Sequence, residues 1–484
     1  MTIKDLNPKN VWANFYALTQ IPRPSKKEGK IIEYMAQFGK DLGLETIVDE
    51  AGNVIIRKPA TPGMENRKGI VLQSHLDMVP QKNSDKNHDF EKDPIETIVD
   101  GEWVRANGTT LGADNGMGVA ATMAVLQAKD IEHGPIEALF TIDEETGMTG
   151  AFALKPNVLK GTILMNLDSE DEGELYVGCA GGLDGTFTFK YKEEAVPAGY
   201  EAYKLSITGL KGGHSGMDII LGRGNANKVI FRFLKQASKE VGLRLASIDG
   251  GSLRNAIPRE AFAVVLVPNG KGGELKKLLD EYYKIVSAEL SAVEPDFKVA
   301  LESTTDPSGV LDAKTQQGLI DGVYACPNGV IRMSDAMPGL VETSSNLAIV
   351  KSENGEANVK CLMRSSVDSA KEDLSSMMES VFHMAGATCE FTGGYQGWKP
   401  NMSSEILQVM KDVYNKLYGR VPEIKAIHAG LECGILGGAY PQWDMISFGP
   451  TIRHPHSPDE KVKIDTVAKF WDFLVAVLKN APAV

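Results

Sequence analysis

The sequence lacks the features that would place it in a membrane, in a secretory pathway or on a nucleic acid. No stretch approaches the roughly 20 consecutive apolar residues that span a bilayer. The N-terminal segment MTIKDLNPKNVW has neither the basic start nor the apolar run of a secretory signal. Acidic residues outnumber basic ones, 64 to 51, and the net charge of −13 repels phosphate backbones and anionic lipids. We therefore expect no nucleic-acid partner and no membrane association.

Cysteine is scarce, and its five copies are scattered along the chain without a CxxC pair. An odd number of isolated thiols argues against a disulfide framework and predicts a reducing, cytoplasmic location. Such thiols are most often small buried hydrophobic residues. We expect no catalytic role for any of them: Cys179, Cys326, Cys361, Cys389 and Cys433.

What is present is an α/β pattern long enough, at 484 residues, for two to three domains. Short apolar runs at 53–56, 69–73, 136–141 and 161–167, bounded by Gly, Pro, Asp or Asn, predict interior strands of a sheet flanked by helices. We expect a mixed central sheet in one domain, residues 1–182, that resumes at 399–484. Between them, residues 183–398 predict an inserted α+β lid domain made of two similar halves.

Two side chains suited to metal chemistry follow the predicted strand at 69–73. In GIVLQSHLDMVP, His75 and Asp77 would point to the same face if the strand continued. His75 would then bind a metal while Asp77 orients its imidazole. An HxD pair by itself is more often a surface histidine beside a turn aspartate.

A glycine-rich segment, NGTTLGADNGMG at 107–118, precedes an apolar helix at 119–128. Four glycines within eleven positions bring the backbone close to some group at the N-terminus of that helix. The segment does not match GxxxxGK[ST], which disfavours a nucleotide loop, and a simple tight turn is the alternative. Asp114 would be held here in a fixed pose, able to bridge two cations.

Three further segments carry candidate ligands. The strand at 136–141 runs into the acidic triplet at 143–145, whose charges repel unless cations lie among them, although a helix N-terminus also favours acids. The strand at 161–167 delivers Asp168, which is uninformative alone. Late in the chain, ISFGPTIRHPHSPDE holds His454 and His456 in a proline-stiffened loop, a setting that commonly binds metal.

The segments HLD, GADNG, DEE, the strand-end Asp168 and HSPDE, in this order, resemble the two-zinc aminoacylase, carboxypeptidase and dipeptidase superfamily. Each motif is weak alone, but five in one order are specific, and the resemblance covers nearly the whole chain. The length, the doubled insert and the late segment HAGLECG are most similar to the aminoacyl-histidine dipeptidases, the Xaa-His dipeptidases of the peptidase D type.

The resemblance implies two Zn²⁺ ions, with Mn²⁺ or Co²⁺ as possible substitutes. The two ions would share one carboxylate and one hydroxide, formed from a bound water whose pKa falls to ~7. The implied ligands are His75, Asp114 and Asp168 for one ion, and Asp114, Glu145 and His456 for the other. Glu144 matches the general base that takes the proton of the water and returns it to the leaving amine. Asp77 matches the partner of His75.

In the insert, His214 of GGHSG resembles the histidine that polarises the scissile carbonyl, where a capping histidine in a surface loop is the alternative. Asn255 and Arg364 match residues that hold the substrate, and a guanidinium suits a terminal carboxylate. Glu432, in HAGLECG, has the charge to meet the α-amino group of the substrate, with a structural role equally open.

These residues predict a cytoplasmic, zinc-dependent dipeptidase for small dipeptides, Xaa-His dipeptides included, as a monomer or a homodimer. Two alternatives remain from the sequence. One is an N-acyl amino-acid amidohydrolase or a tripeptidase with the same di-zinc core. The other is a non-catalytic metal- or peptide-binding protein, which the presence of Glu144 beside a full ligand set disfavours because binding alone needs no base.

Overall fold

A computed structural model describes residues 2–484 of the protein, which form two compact units. Unit 1 contains the residues up to Gly178, Pro400–Ala426 and Leu431–Val484, and unit 2 contains Cys179–Lys399 and Ile427–Gly430. The sequence placed the short segment 427–430 in the other domain. The structure assigns it to unit 2 because the backbone N–H of Ala180 donates to the carbonyl oxygens of Ile427 and Ala429, at 3.1 and 3.0 Å.

The first stretch of unit 1 contains α1 (Lys9–Thr19), α2 (Gly29–Asp41), β1 (Glu45–Val48), β2 (Val54–Lys58), β3 (Ile70–His75), β4 (Thr97–Asp100), β5 (Trp103–Ala106), α3 (Ala113–Gln127), β6 (Ile136–Thr141), α4 (Thr149–Ala153), β7 (Ile163–Asn166) and, at the boundary, β8 (Glu174–Cys179). Unit 2 follows with β9 (Gly181–Lys190), β10 (Glu193–Glu194), β11 (Tyr200–Thr208), β12 (Gly213–His214), α5 (Ala226–Glu240), β13 (Arg244–Gly250), β14 (Ala256–Ile257), β15 (Ala261–Pro268), α6 (Gly272–Leu290), β16 (Lys298–Ser303), β17 (Val310–Leu311), α7 (Ala313–Ala325), β18 (Gly329–Met333), β19 (Val341–Glu353), β20 (Glu356–Ser365), α8 (Asp368–Met384) and β21 (Thr388–Tyr395). The chain returns to unit 1 with α9 (Glu405–Tyr418), β22 (Glu423–Ile427), α10 (Glu432–Ala439), β23 (Asp444–Ser447), β24 (Ile452–Arg453), β25 (Lys461–Lys463) and α11 (Ile464–Lys479).

Unit 1 is built on a mixed sheet with strand order β1-β2-β6-β3-β7-β23-β8-β22. Its central strands β6, β3, β7 and β23 are parallel to one another, whereas β1, β2 and β8 pair antiparallel with their neighbours. Every residue of β3, β6 and β7 is buried, which explains why these strands are rich in apolar residues and show no alternation of polar and apolar side chains. Because the four central strands are parallel, their carboxyl ends lie at one edge of the sheet.

A second, small sheet of unit 1 has the order β24-β25-β5-β4 and was not predicted from the sequence. Its strands are only two to four residues long, below the length at which alternation is recognisable. The predicted mixed sheet with flanking helices is confirmed.

Unit 2 consists of two similar halves, as predicted. The first half runs β11-α5-β13-β15-α6-β16 and the second runs β9-α7-β19-β20-α8-β21. Numbered within each half, the strands lie in the order fourth-first-third-second, all antiparallel, in the manner of a ferredoxin-like βαββαβ unit. The second strands of the two halves, β13 and β19, pair at the centre and join them into one sheet.

The first strand of the second half, β9, was missed because it precedes the whole first half in the sequence. Its side chains are nevertheless central to the packing. Phe187 of β9 stacks on Phe382 of α8 with ring centroids 4.0 Å apart.

Among residues 2–484, no helix has the length and apolar character needed to cross a membrane.

Candidate active site

The carboxyl edge of the unit 1 sheet gathers most of the predicted metal ligands. β3 ends at His75, Asp168 lies two residues beyond β7, and the acidic triplet at 143–145 follows β6. α3 begins at Ala113, directly after Gly112 in a left-handed conformation with φ 72°. Asp114 and Asn115 have non-helical backbone angles, with ψ of 110° and 32°, so the regular part of the helix begins after them, close to the predicted start at 119. Asp114 lies in the kinked turn that precedes it.

His75 lies between two carboxylates. Its Nε2 is 3.1 Å from Asp114 Oδ1 and 3.4 Å from Asp168 Oδ1, while its Nδ1 lies 3.2 Å from the carbonyl oxygen of Asp77. If Nδ1–H donates to that carbonyl, Nε2 presents a lone pair toward two anions. This arrangement is favourable when a cation lies between Nε2 and the two carboxylates. The hydrogen bond to Asp77 then fixes the tautomer of His75, as is common for metal-binding histidines.

His456 forms a second group with the same aspartate. Its Nε2 is 3.1 Å from Asp114 Oδ2 and 2.9 Å from Glu145 Oε2. Asp114 thus presents one oxygen to each histidine. Atoms bound at ~2.0–2.1 Å around one tetrahedral ion lie roughly 3.3 Å apart, close to the separations seen in both groups.

The chemistry of the surrounding atoms supports cation binding. Within residues 2–484, the buried oxygens Glu145 Oε1 and Asp168 Oδ1 have no hydrogen-bond partner. Burial raises the pKa of Asp168 to about 8, and repulsion from Asp114 adds to this shift, although the charge and the hydrogen bonding of His75 oppose it. Divalent cations would offset both effects. The imidazole and carboxylate donors fit two ions of the Zn²⁺, Mn²⁺ or Co²⁺ type.

Glu144 lies beside these groups rather than in either of them. Its Oε2 is 4.0 Å from His75 Nε2, although His75, Glu144 and Glu145 also approach closely enough to form an alternative ligand group. Burial raises the pKa of Glu144 well above its usual range, and the charges of Asp168 and Glu145 add to this. A carboxylate with a raised pKa is a stronger proton acceptor, which suits a general base.

Asp77 connects the histidine to the acidic segment. Its Oδ1 accepts the backbone N–H of Glu144 at 3.0 Å, and its Oδ2 accepts the N–H of Glu145 at 3.2 Å and the hydroxyl of Ser25 at 2.8 Å. Although burial opposes ionisation, hydrogen bonding from His75 and Ser25 holds the pKa of Asp77 at about 2. The anion fixes the backbone on which Glu144 and Glu145 are mounted.

Three non-glycine residues of this region adopt left-handed backbone conformations: Asp143 at φ 55°, His454 at 54° and His456 at 60°. This conformation is uncommon for residues with a side chain and tends to cluster at functional sites. His454 is exposed and belongs to neither ligand group. Of the two histidines in HPH, the structure therefore brings only His456 to the carboxylates.

Glu432 is buried in unit 1, at the start of α10, with 1% of its surface exposed. Its Oε2 accepts hydrogen bonds from Gln73 Nε2 at 2.6 Å and Thr141 Oγ1 at 2.9 Å, while Oε1 has no partner in the described chain. Burial raises its pKa to about 7. Gln73 and Thr141 were missed by the sequence analysis. Each lies two residues before a candidate site residue, His75 or Asp143, and residues two apart in a strand point to the same face.

The predicted residues of unit 2 form their own cluster. His214 pairs with Ala256 across β12 and β14, and the N–H of Ser215 donates to the carbonyl oxygen of Asn255 at 2.9 Å. Arg364 Nε donates to Ser215 Oγ at 3.3 Å. The side chain of Asn255 is exposed, whereas Arg364 is 5% exposed. Ser215, which lies in GGHSG but was given no role from the sequence, follows His214 and hydrogen-bonds to both Asn255 and Arg364.

The tautomer of His214 follows from its hydrogen bonds. Nδ1 accepts the backbone N–H groups of Gly216 and Met217, both at 3.1 Å, so the ring proton lies on Nε2. Burial and the positive charge of Arg364 lower the pKa of His214 and keep the imidazole neutral. Nε2–H is therefore an oriented donor, the property that stabilising an oxyanion requires.

Comparisons with known proteins agree with this chemistry. A family model described as peptidase family M20/M25/M40 matches residues 71–480. The cytosol non-specific dipeptidase of Escherichia coli (strain K12) is 48% identical over 481 residues, 99% of each chain. The solved structure of aminoacylhistidine dipeptidase from Vibrio alginolyticus is 52% identical and superposes with a TM-score of 0.96 over 100% of this chain and 99% of that one. An aminopeptidase from Bacillus cereus shares the fold, at 17% identity and a TM-score of 0.57 over 98% and 99%.

Proposed function

The chain belongs to peptidase family M20/M25/M40 and is a metal-dependent dipeptidase, and from this premise we propose that it hydrolyses Xaa-His and other dipeptides at a centre of two Zn²⁺ ions. The observation that carries the proposal is that Asp114 presents one oxygen to His75 and the other to His456. Two full-length relatives named as dipeptidases support the substrate class.

We propose that His75, Asp114 and Asp168 hold one ion and that Asp114, Glu145 and His456 hold the other. When bound, such ions acidify a water and polarise the peptide carbonyl. Glu144 then accepts the proton of the attacking water and returns it to the leaving amine. Asp77 keeps His75 in the metal-binding tautomer and holds the backbone of Glu144 in place.

The groups of unit 2 and Glu432 would orient the dipeptide. His214 Nε2–H donates to the carbonyl oxygen as it becomes an oxyanion. Arg364 binds the terminal carboxylate, and Asn255 hydrogen-bonds the peptide. The unpartnered Oε1 of Glu432 suits the α-ammonium group. We also propose a cytoplasmic location, supported by the relative named for the cytosol.

Hydrolysis of a substrate panel tests this function. Metal-free protein reconstituted with Zn²⁺, Mn²⁺ or Co²⁺ should cleave Ala-His, Gly-His and other dipeptides. It should cleave their C-terminal amides at least ~10-fold more slowly, because Arg364 loses its charged partner. Liberated amino acids are quantified by chromatography. Preference for N-acetyl amino acids or tripeptides would instead support the amidohydrolase or tripeptidase alternative.

His214→Ala should lower kcat by about 10²–10³-fold and leave both metal ions bound, because it removes one oxyanion donor. His383→Ala is the control, since His383 is an exposed histidine of the same unit. Full activity of His214→Ala would contradict the role.

Mixing inactive His214→Ala with inactive Glu144→Gln protein then shows whether His214 acts within its own chain. We expect no recovery of activity. Recovery would indicate a homodimer in which His214 serves the partner.

A further inference from the structure

Glu460 is a buried carboxylate to which the mechanism above gives no role. It lies four residues after His456 and is 2% exposed. Its two oxygens accept four consecutive backbone N–H groups from the glycine-rich segment. Oε2 accepts from Leu111 at 2.7 Å and Gly112 at 2.9 Å, and Oε1 accepts from Ala113 at 2.7 Å and Asp114 at 3.2 Å.

This geometry identifies the group that the glycine-rich segment approaches. Successive N–H groups that converge at a helix N-terminus form an anion-binding nest. Here the nest is filled by a carboxylate of the same chain rather than by a phosphate. Gly112 is required, because its φ is 72° and a Cβ at this position would lie 2.6 Å from Arg23 Nη2.

Arg23 holds the same segment from its other side. Its Nη2 donates to the carbonyl oxygen of Gly112 at 2.6 Å, and its Nη1 donates to the carbonyls of Leu76 and Asp77 at 2.9 and 3.1 Å. Both polar groups of Gly112 are thus bound to buried charged side chains. The two side chains connect the segments that carry His75, Asp114 and His456.

We propose that Glu460 is a positioning residue that fixes Asp114 and His456 as ligands of one ion. This inference rests on the proposed two-metal centre. Glu460 acts on Asp114 by accepting its backbone N–H. It acts on His456 because only the three residues 457–459 separate the two in the chain. The loop of His456 is exposed or half-buried, and the four hydrogen bonds to Glu460 anchor its C-terminal end to the backbone of the segment that ends at Asp114.

Glu460→Gln tests the inference because it keeps the size and replaces one acceptor oxygen by an NH₂ donor. Two of the four backbone N–H groups then face a donor. We expect the ion held by Asp114, Glu145 and His456, the second ion, to bind about 10–100-fold more weakly. This is the usual effect of changing a group that orients metal ligands. Zn²⁺ titration of apo protein against a competing chelator measures the affinity, and the visible spectrum of the Co²⁺ form reports altered coordination.

Glu137→Gln is the matched control. Glu137 is also buried, at 6% exposure, and its Oε2 accepts the N–H groups of Lys160 and Gly161 at 2.7 and 2.8 Å. It lies near the start of β6, whereas Glu145 follows the end of that strand. Glu137→Gln should keep both ions at wild-type affinity. Equal loss of metal affinity in the two variants would show a general folding effect and overturn the proposal.

Glu460→Ala adds a test that distinguishes a positioning role of Glu460 from a merely structural one. It empties the nest, and millimolar formate or acetate should restore part of the metal affinity, whereas formamide or acetamide should not. If Glu460→Gln binds two ions as the wild type does, or if anions fail to restore Glu460→Ala, the positioning role is wrong. If the wild-type protein itself binds no second ion, the two-metal centre fails instead.

Discussion

Glu144→Gln should lower kcat by about 10²–10⁴-fold while the protein keeps both metal ions. The substitution preserves size and hydrogen bonding but removes the ability to accept a proton. The carboxylate of Glu144 lies 4.0 Å from the nearest imidazole nitrogen, outside the separations of 2.9–3.4 Å that connect the proposed ligands. The loss should therefore fall on turnover, measured by steady-state kinetics beside elemental analysis of the same sample.

Its neighbour provides the contrasting variant. Glu145 Oε2 lies 2.9 Å from His456 Nε2, and its other oxygen is buried without a partner in the part of the chain that is described. Glu145→Gln should release the second ion, and excess metal should restore part of the activity. Metal loss in Glu144→Gln with retention in Glu145→Gln would mean that the two acids exchange roles, as the alternative group of His75, Glu144 and Glu145 permits.

Asp114→Ala should abolish activity and weaken the binding of both ions by more than about 100-fold, because each proposed site loses the ligand it shares with the other. Asp114 lies 3.1 Å from a ring nitrogen of each histidine and belongs both to the group of His75 and Asp168 and to the group of Glu145 and His456. Inductively coupled plasma mass spectrometry at saturating Zn²⁺ gives the number of ions per chain, and we expect two for the wild type.

Asp168→Ala is the matched comparison, since it removes an aspartate from one site only. It should weaken one ion and leave the group of Asp114, Glu145 and His456 able to bind the other. One ion per chain in the wild type, unchanged by Asp114→Ala, would rule out a bridging carboxylate.

The strands of unit 1 show what a local sequence pattern can predict. The run at 136–141 coincides with β6 and the run at 69–73 overlaps β3, because short apolar segments between turn residues have few other stable conformations. The second half of unit 2 shows the opposite. Its first strand, β9, is separated from α7 by the entire first half, and a local pattern carries no signal of that pairing.

The sequence by itself determined the chemistry of the candidate site, because the types of side chain and their positions at strand ends are local properties. It indicated carboxylates and imidazoles at 75, 114, 143–145, 168 and 456, and a glycine-rich segment built to approach another group. Only the tertiary structure decided which atoms meet. Asp114 and Glu460 are 346 residues apart in the chain. The hydrogen bond between them exists because β25, which begins directly after Glu460, pairs with β5, which precedes the glycine-rich segment that carries Asp114. Contacts of that range depend on the packing of the whole unit and leave no periodicity in the sequence.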